Sequence, residues 1–299
     1  MKTKWLSKKD ADLYGFHGPY HNGRSAVEHY NEKIIARREK YKPKEPRTIL
    51  DFEEEFRFTG HHKIDNFFND TEKGELLKIR DTIERFTDED INIKKRDANM
   101  AFINQPILNI PELYKFVFDE RLIQVATSYY GCIPALSSVA VRRSYITDSP
   151  PVTNQFFHRD YNGLVKIVKV IIYLNDVDES GGPFTYVSKS AGKMFDNWWR
   201  YHYLDDSIIQ KYYDPEDILP LTANFGDVLF AGTRGWHKGA KPKNKERYAI
   251  HACFLIHPEL TGPGHQKEST KDNWYQIREQ DYHNIPEHLR PAADFLIKV

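Results

Sequence analysis

The second half of the chain contains short runs of β-branched and aromatic residues, each bounded by Gly, Pro, Asn or Asp. Such runs are typical of strands, and the turn residues between them are typical of their connections. The first half instead has apolar residues at helical spacing. Helices followed by many short strands predict an α+β fold with a mainly β core, a sandwich or jelly roll. The predicted strands are Leu136–Ile146, Val165–Leu174, Phe184–Val187, Asp227–Ala231 and Tyr248–Ile256.

Several helices are predicted outside these strands. Ser25 to Glu28 reads S-A-V-E, a capping box that opens the first helix. The second follows Asn69, Asp70 or Thr71, any of which can cap it, and its apolar face includes Leu76, Ile79 and Ile83. Further helices are predicted over Ile110–Tyr130 and Ile285–Ile297.

The length of 299 residues fits one large domain or two small ones, and β-rich folds of this size often stay single. We expect a basic helical extension over 1–50, a jelly-roll domain with helices over 51–260, and a C-terminal segment over 261–299. That segment is expected to pack on the barrel or on a second subunit, so a homo-oligomer stays open.

Composition excludes some classes of function. Lys plus Arg and Asp plus Glu each total 43, so the net charge is zero, whereas bulk nucleic-acid binding needs a positive excess. The two cysteines are far apart and form no CxxC pair, which argues against a disulfide framework or a zinc ribbon. No apolar stretch is long enough for a membrane span, and because residues 1–15 have no apolar segment we do not interpret them as a secretory signal. These features predict a cytoplasmic protein.

The most informative motif is Gln155-Phe-Phe-His-Arg-Asp160. Side chains on a strand alternate between faces, so His158 and Asp160 share a face and Arg159 points away. His237, which follows a strand that Gly226-Asp227 introduces, is the candidate third ligand. Two histidines and one carboxylate form the facial triad of non-haem iron(II) oxygenases, which leaves open positions for a chelating 2-oxo acid and dioxygen. Zinc instead favours a closed tetrahedral site, or three ligands plus water.

Arg247 follows His237 by ten residues and begins a predicted strand. A guanidinium binds a carboxylate through two parallel hydrogen bonds and stays charged at any working pH. An arginine that faces a barrel interior is costly without an anion. Arg247 therefore suits the distal carboxylate of 2-oxoglutarate.

In these features the sequence over residues 58–257 resembles the phytanoyl-CoA dioxygenase-like family of iron(II)/2-oxoglutarate oxygenases. The resemblance covers Thr59-Gly-His-His-Lys-Ile-Asp-Asn-Phe-Phe68, Phe157-His-Arg-Asp160, Val170-Ile-Ile-Tyr-Leu-Asn-Asp-Val-Asp178, Gly181-Gly-Pro-Phe184, Gly226-Asp-Val-Leu-Phe230, His237 and Arg247. It implies a double-stranded β-helix with iron(II) at one mouth. It also implies that His158, Asp160 and His237 bind iron and that Arg247 anchors 2-oxoglutarate.

The chain departs from the family at two points. Ser188-Lys-Ser-Ala191 stands where the family often has Pro-Gly-Ser-His, so the loop near the site is expected to differ. Gly239 stands where a hydroxyl residue often follows the distal histidine. One expected hydrogen bond to the cosubstrate is then missing, and another group should supply it. Because Asp160 is retained, the site resembles that of hydroxylases, not of halogenases.

Secondary candidates have two interpretations each. Tyr145 and Lys169 could bind the cosubstrate, although Tyr145 could equally pack in the core and a lysine within a strand is typically solvent-facing. Arg143 could meet an anionic substrate or lie at the surface. Trp198 and Trp199 belong to an aromatic segment, 195–213, that could be a substrate lid or a packed insertion. His251 shares a strand face with Arg247, and a hydrogen-bonded core histidine is the simpler interpretation.

The sequence therefore predicts an iron(II)/2-oxoglutarate dioxygenase that hydroxylates a small molecule with dioxygen. Oxidative decarboxylation of 2-oxoglutarate would yield succinate and carbon dioxide. Two other classes stay open. One is a catalytically silent jelly-roll module that binds a ligand or a partner, and the other is a zinc-type hydrolase that uses the same ligands.

Overall fold

The computed structural model describes residues 35–43, 50–85, 93–160, 166–193, 195, 202–256 and 275–299. Within these residues the strands are β1 (His61–Ile64), β2 (Ile93–Asp97), β3 (Met100–Ile103), β4 (Ala135–Ser144), β5 (Phe157–His158), β6 (Val168–Tyr173), β7 (Phe184–Val187), β8 (Tyr203–Leu204), β9 (Ile218–Leu221), β10 (Val228–Gly232), β11 (His237–Gly239), β12 (Arg247–Leu255), β13 (Gln276–Ile277) and β14 (Ile297–Lys298).

Two antiparallel sheets form the centre of the fold. The larger has the strand order β1-β10-β6-β12-β4-β3-β2, and the smaller has the order β8-β5-β11-β7-β9. Phe184 and Tyr186 of the smaller sheet form one buried cluster with Ile171, Tyr173 and Leu229 of the larger. The two sheets therefore pack face to face, which confirms the predicted jelly roll with a mainly β core.

The larger sheet is covered on both faces, and β6 shows the consequence. Val168, Val170 and Ile172 belong to the large cluster that packs against the helices. Ile171 and Tyr173, on the alternate face, point to the smaller sheet. A strand that is buried on both faces needs apolar residues at almost every position, which explains why all residues of β6 except Lys169 are apolar or aromatic.

The helices are α1 (Glu53–Thr59), α2 (Asp70–Arg85), α3 (Pro106–Asn109), α4 (Leu113–Val117), α5 (Glu120–Tyr130), α6 (Asp206–Tyr212) and α7 (Glu279–Asn284). Asn69 caps α2 as predicted, because its side chain accepts from the Glu72 amide at 3.0 Å while the Glu72 carboxylate accepts from the Asn69 amide at 2.8 Å. The prediction of one helix over 110–130 is wrong. Asp119 caps α5 by accepting from the Arg121 amide at 2.8 Å, and this cap separates α5 from α4.

The C-terminal residues 275–299 pack on the large cluster through buried Ile277, Leu289 and Ala292. Arg37, within the helical residues 35–40, pairs with Asp294 at 3.1 Å and ties the two ends of the described chain together. The helix predicted over 285–297 is instead a 3-10 segment, Glu287–Ala293, followed by β14. The predicted capping box at 25–28 lies outside the described residues. None of the described helices is long and apolar enough to span a membrane.

Candidate metal centre

His158 and His237 are cross-strand neighbours in the smaller sheet. His158 ends β5, His237 begins β11, and the two residues lie opposite each other in an antiparallel pair. Opposed residues of antiparallel strands point to the same face. Their ring centroids are 4.3 Å apart. The register of this sheet therefore brings two imidazoles together from distant parts of the sequence.

Asp160 completes the cluster two residues after His158. Its backbone amide donates to the Thr233 carbonyl at 3.1 Å, which fixes this segment against the chain that leads into β11. The Asp160 Oδ1 atom lies 3.7 Å from Nε2 of His158 and 3.7 Å from Nε2 of His237. Each of the three residues offers a ligand atom within 4.8 Å of the others. The three residues that the sequence singled out thus lie in one cluster.

Backbone carbonyls set the tautomer of both imidazoles. His158 Nδ1 lies 2.9 Å from the Phe156 carbonyl, and His237 Nδ1 lies 3.0 Å from the Gly235 carbonyl. A carbonyl only accepts, so each Nδ1 carries the proton and each Nε2 keeps its lone pair. Both Nε2 atoms lie 3.7 Å from the same oxygen of the Asp160 carboxylate. This is the arrangement in which histidines bind metals, with the second ring nitrogen held by the protein.

The cluster is in the protonation state that a metal needs. Burial, followed by the nearby His237, lowers the pKa of His158 to about 3. Burial and then Lys169 lower the pKa of His237. Burial alone would raise the pKa of Asp160, but Lys169 and the two imidazoles outweigh it and hold that pKa well below its usual range. At neutral pH the site therefore consists of two neutral imidazoles and one carboxylate.

Lys169 faces the interior of the fold. Its side chain is 12% exposed, and its Nζ lies 2.8 Å from Asp160 Oδ2 and 3.5 Å from His237 Nε2. The solvent-facing orientation that is typical of a lysine within a strand does not apply here, because both faces of β6 are covered.

Arg247 begins β12 and is buried. Its guanidinium donates to the Ala240 carbonyl at 3.0 Å and to the Ser144 hydroxyl at 3.2 Å. It pairs with no carboxylate among the residues that the structure describes, and burial lowers its pKa. A buried cation without a counter-ion is costly, so a bound anion would stabilise this guanidinium.

One cavity joins the cluster to Arg247. Two of the three cluster residues, His158 and His237, line it together with Lys169 and Arg247, and the other wall residues are Met100, Arg142, Ser144, Asn154, Phe184, Gly239 and His251. The wall is rich in positive charge, which suits an anionic ligand. Gly239 lies against Arg247, since a Cβ atom there would be 3.1 Å from the guanidinium. The Ser144 hydroxyl also lines the cavity and accepts a hydrogen bond from Arg247.

The donor set fits a divalent transition metal. Imidazole nitrogens suit iron, nickel, copper and zinc, whereas calcium and magnesium prefer oxygen ligands alone. The three donor atoms lie within 4.8 Å of one another, and the two histidines line the cavity, so an ion bound there would be open to other ligands from the cavity. The two imidazole Nε2 atoms, the ionised carboxylate and the adjoining cavity together match a 2-His-1-carboxylate site.

Two secondary candidates do not line this cavity. Arg143 points away from it and pairs with Glu246 at 2.8 Å. Tyr145 packs on the large cluster beneath the Arg143 guanidinium, which is 5.1 Å from its ring. Trp198 and Trp199 lie outside the described residues. Phe195 and Tyr213, from the same aromatic segment, pack with Trp236 in a third cluster.

The sequence did not identify two of the wall residues, Arg142 and Ser144, as part of the site. Arg142 lies opposite Ala249 and Ser144 lies opposite Arg247 in the pairing of β4 with β12. Both therefore share the face of Arg247, whereas Arg143 takes the other face. Only the register between the two strands could have identified them. His251, two positions beyond Ala249, also lines the cavity.

The sequence matches no family model and no curated protein. Solved structures do match the fold. The alpha-ketoglutarate-dependent non-heme carbocyclase SnoK from nogalamycin biosynthesis is 18% identical with a TM-score of 0.54, and the alignment covers 70% of this chain and 84% of SnoK.

Two Streptomyces proteins have the same architecture. AviO1 from Streptomyces viridochromogenes Tue57 is 18% identical with a TM-score of 0.53, covering 72% of this chain and 99% of AviO1. HygX from Streptomyces hygroscopicus, solved with nickel and 2-oxoglutarate bound, is 15% identical with a TM-score of 0.52, covering 70% of this chain and 87% of HygX. At these identities the likeness shows the fold, the double-stranded β-helix.

Proposed function

We propose that this protein is an iron(II)- and 2-oxoglutarate-dependent oxygenase of the phytanoyl-CoA dioxygenase-like family. In this proposal His158, Asp160 and His237 hold the iron, and Arg247 binds the far carboxylate of 2-oxoglutarate. The proposal depends on one observation. The two histidines of a 2-His-1-carboxylate cluster line the same cavity as a buried arginine that has no carboxylate partner in the described chain. The nickel and 2-oxoglutarate bound to HygX, a protein of the same fold, support the choice of cosubstrate.

When bound, iron(II) and 2-oxoglutarate supply an oxidant made from dioxygen, and 2-oxoglutarate leaves as succinate and carbon dioxide. The residues of the chain hold the iron, orient the 2-oxo acid and enclose the reactants. The two histidines present neutral Nε2 donors because their Nδ1 protons are held by backbone carbonyls. Arg247 orients the 2-oxo acid through charged hydrogen bonds. The cavity walls orient the reactants and keep competing reactions out.

We further propose that the substrate is a small molecule in which a C–H bond is hydroxylated. The zero net charge argues against a nucleic-acid substrate. The retained Asp160 carboxylate favours hydroxylation over halogenation, since it occupies the position that a halide ligand would need. SnoK, a protein of the same fold, comes from the biosynthesis of a small molecule, nogalamycin.

An anaerobic titration of the metal-free chain with iron(II) and then 2-oxoglutarate tests the proposal. Chelation of iron(II) by the 2-oxo acid should produce a weak metal-to-ligand charge-transfer band in the visible range. The band should disappear in His158→Ala and persist in His288→Ala, because His288 is exposed and pairs with Glu120 away from the cavity. Thermal unfolding of each variant checks that it is folded.

The outcomes separate the three classes of function. A folded wild-type protein that gives no band would support a silent binding module, and a band that survives in His158→Ala would contradict the proposed ligands. A zinc-type hydrolase would bind zinc without any response to 2-oxoglutarate. Succinate formation during a screen of small metabolites under dioxygen would then identify the substrate.

A further inference from the structure

Lys169, the second residue of β6, extends through the interior of the fold to the metal cluster. Its cross-strand neighbours on β10 and β12 are Ala231 and Cys253, both small residues. They leave room for the four-carbon stem of the lysine, which can lie along apolar surface while its ammonium reaches a polar partner. The side chain is 12% exposed, so its charge depends on protein partners.

The two oxygens of the Asp160 carboxylate have different partners. Oδ1 lies 3.7 Å from each of the two histidine Nε2 atoms, so it is the oxygen that faces the centre of the cluster. Oδ2 lies 2.8 Å from the Lys169 ammonium, which is the distance of a charged hydrogen bond. One oxygen is thus available to a metal, and the other is already bound.

We propose that Lys169 is a positioning residue that holds Asp160 as a one-oxygen ligand of the metal. The inference rests on the proposed function and adds to it the reason why the site keeps its open positions. A carboxylate that binds an ion through both oxygens occupies two coordination positions. With two histidines it would leave only two of six positions, but a chelating 2-oxo acid and dioxygen together need three.

Lys169 therefore acts through Asp160. By holding Oδ2, the ammonium keeps the carboxylate from rotating both oxygens toward the ion. It also offsets part of the carboxylate charge, which weakens its donation to the metal. Partners that hold the ligands of a metal in this way typically affect metal affinity or activity about 10- to 100-fold.

Cobalt(II) bound to the metal-free full-length chain, without 2-oxoglutarate, tests the proposal directly. The visible d–d absorption of cobalt(II) changes in intensity with coordination number and geometry. Lys169→Met keeps an apolar stem but removes the donor, so we expect a cobalt(II) spectrum that differs from that of the wild type. Lys169→Arg retains a charged donor and should restore most of the wild-type spectrum.

A second measurement determines the Kd for 2-oxoglutarate. In the cobalt-loaded Lys169→Met protein its Kd should rise at least about tenfold, because the second carboxylate oxygen competes for a chelating position. The Kd for cobalt(II) itself should not rise, since a two-oxygen ligand binds the ion at least as well. A misfolded variant would instead bind both cobalt(II) and 2-oxoglutarate more weakly. Lys238→Met, on strand β11 of the smaller sheet with its ammonium paired to Asp206, should leave both Kd values unchanged.

An unchanged cobalt(II) spectrum in Lys169→Met would overturn the proposal, even if the Kd for 2-oxoglutarate rises, because the lysine would then bind the 2-oxo acid directly. Failure of the proposed function looks different. In that case the wild-type protein itself would bind no cobalt(II), or its cobalt(II) spectrum would not respond to 2-oxoglutarate.

Discussion

The Ser144 hydroxyl accepts a hydrogen bond from the Arg247 guanidinium at 3.2 Å, between opposed residues of β4 and β12. Both residues are buried. The bond fixes one end of the guanidinium while the Ala240 carbonyl fixes the other at 3.0 Å. The orientation of the Arg247 side chain thus depends on Ser144, a residue 103 positions earlier in the chain.

We expect Ser144→Ala to weaken 2-oxoglutarate binding by the metal-loaded protein about fivefold, since one hydrogen bond is worth about 1 kcal/mol net. Titration calorimetry under anaerobic conditions measures it. The matched control is Ser137→Ala. Ser137 lies on β4, as Ser144 does, and its replacement removes a 3.1 Å hydrogen bond to the Cys253 carbonyl of β12 without changing the wall of the cavity. Equal Kd values for the two variants would contradict a role for Ser144 in orienting Arg247.

Replacing Arg247 by Met should raise the Kd for 2-oxoglutarate about 100-fold, because two charged hydrogen bonds of at least about 1.5 kcal/mol each are lost. Metal affinity should not change. Without 2-oxoglutarate, the variant should be as stable as the wild type or more stable, since a buried cation without a carboxylate partner is removed. Arg143→Met, whose guanidinium pairs with Glu246 outside the cavity, is the control and should bind 2-oxoglutarate normally.

The metal-free protein should lose stability as the pH falls below about 6.5. Burial holds the pKa of His158 at about 3, and burial together with Arg142 and Lys169 holds that of His251 well below 6.5. The unfolded chain takes up these protons below its own pKa of about 6.5 and the folded chain does not, so acid favours unfolding. Each such histidine should cost about 1.4 kcal/mol at one pH unit below that value.

Urea unfolding at about pH 7.5 and about pH 5.5 measures this loss. His251→Gln removes one of the depressed groups without removing a cluster residue. Its unfolding free energy should therefore fall by about 1.4 kcal/mol less than that of the wild type between the two pH values. An identical fall in both proteins would show that His251 does not stay neutral in the folded state.

Two glycine-to-alanine changes should have opposite effects on stability. A Cβ atom at Gly235 would lie 2.1 Å from the buried Tyr186 hydroxyl, so Gly235→Ala should destabilise the fold by about 1–3 kcal/mol. It should also weaken metal binding, since the Gly235 carbonyl holds His237. A Cβ atom at Gly74 in α2 meets nothing within 4 Å, and Gly74→Ala should stabilise by about 0.5–1 kcal/mol. Chemical denaturation of both variants checks the signs.

Local patterns in the sequence predicted much of this molecule. The β-branched runs became strands within a few residues of their predicted bounds, and β7 has the predicted range Phe184–Val187. Asn69 was among the predicted caps of α2 and forms that cap. The helix over 110–130 was mispredicted because the apolar spacing continues through Phe118, while the Asp119 cap starts a new helix there.

The sequence by itself identified His158 and Asp160 as a ligand pair, because the two residues are only two apart. The predicted strand over both is too long, since β5 ends at His158 and Asp160 follows it outside the strand. It also supplied His237 and Arg247 as candidates. Tertiary structure alone decided that His237 lies opposite His158, that Arg142 and not Arg143 lines the cavity, and that Lys169 points inward to Asp160. Those outcomes depend on the register between distant strands and on which faces the helices cover. No local periodicity encodes either of them.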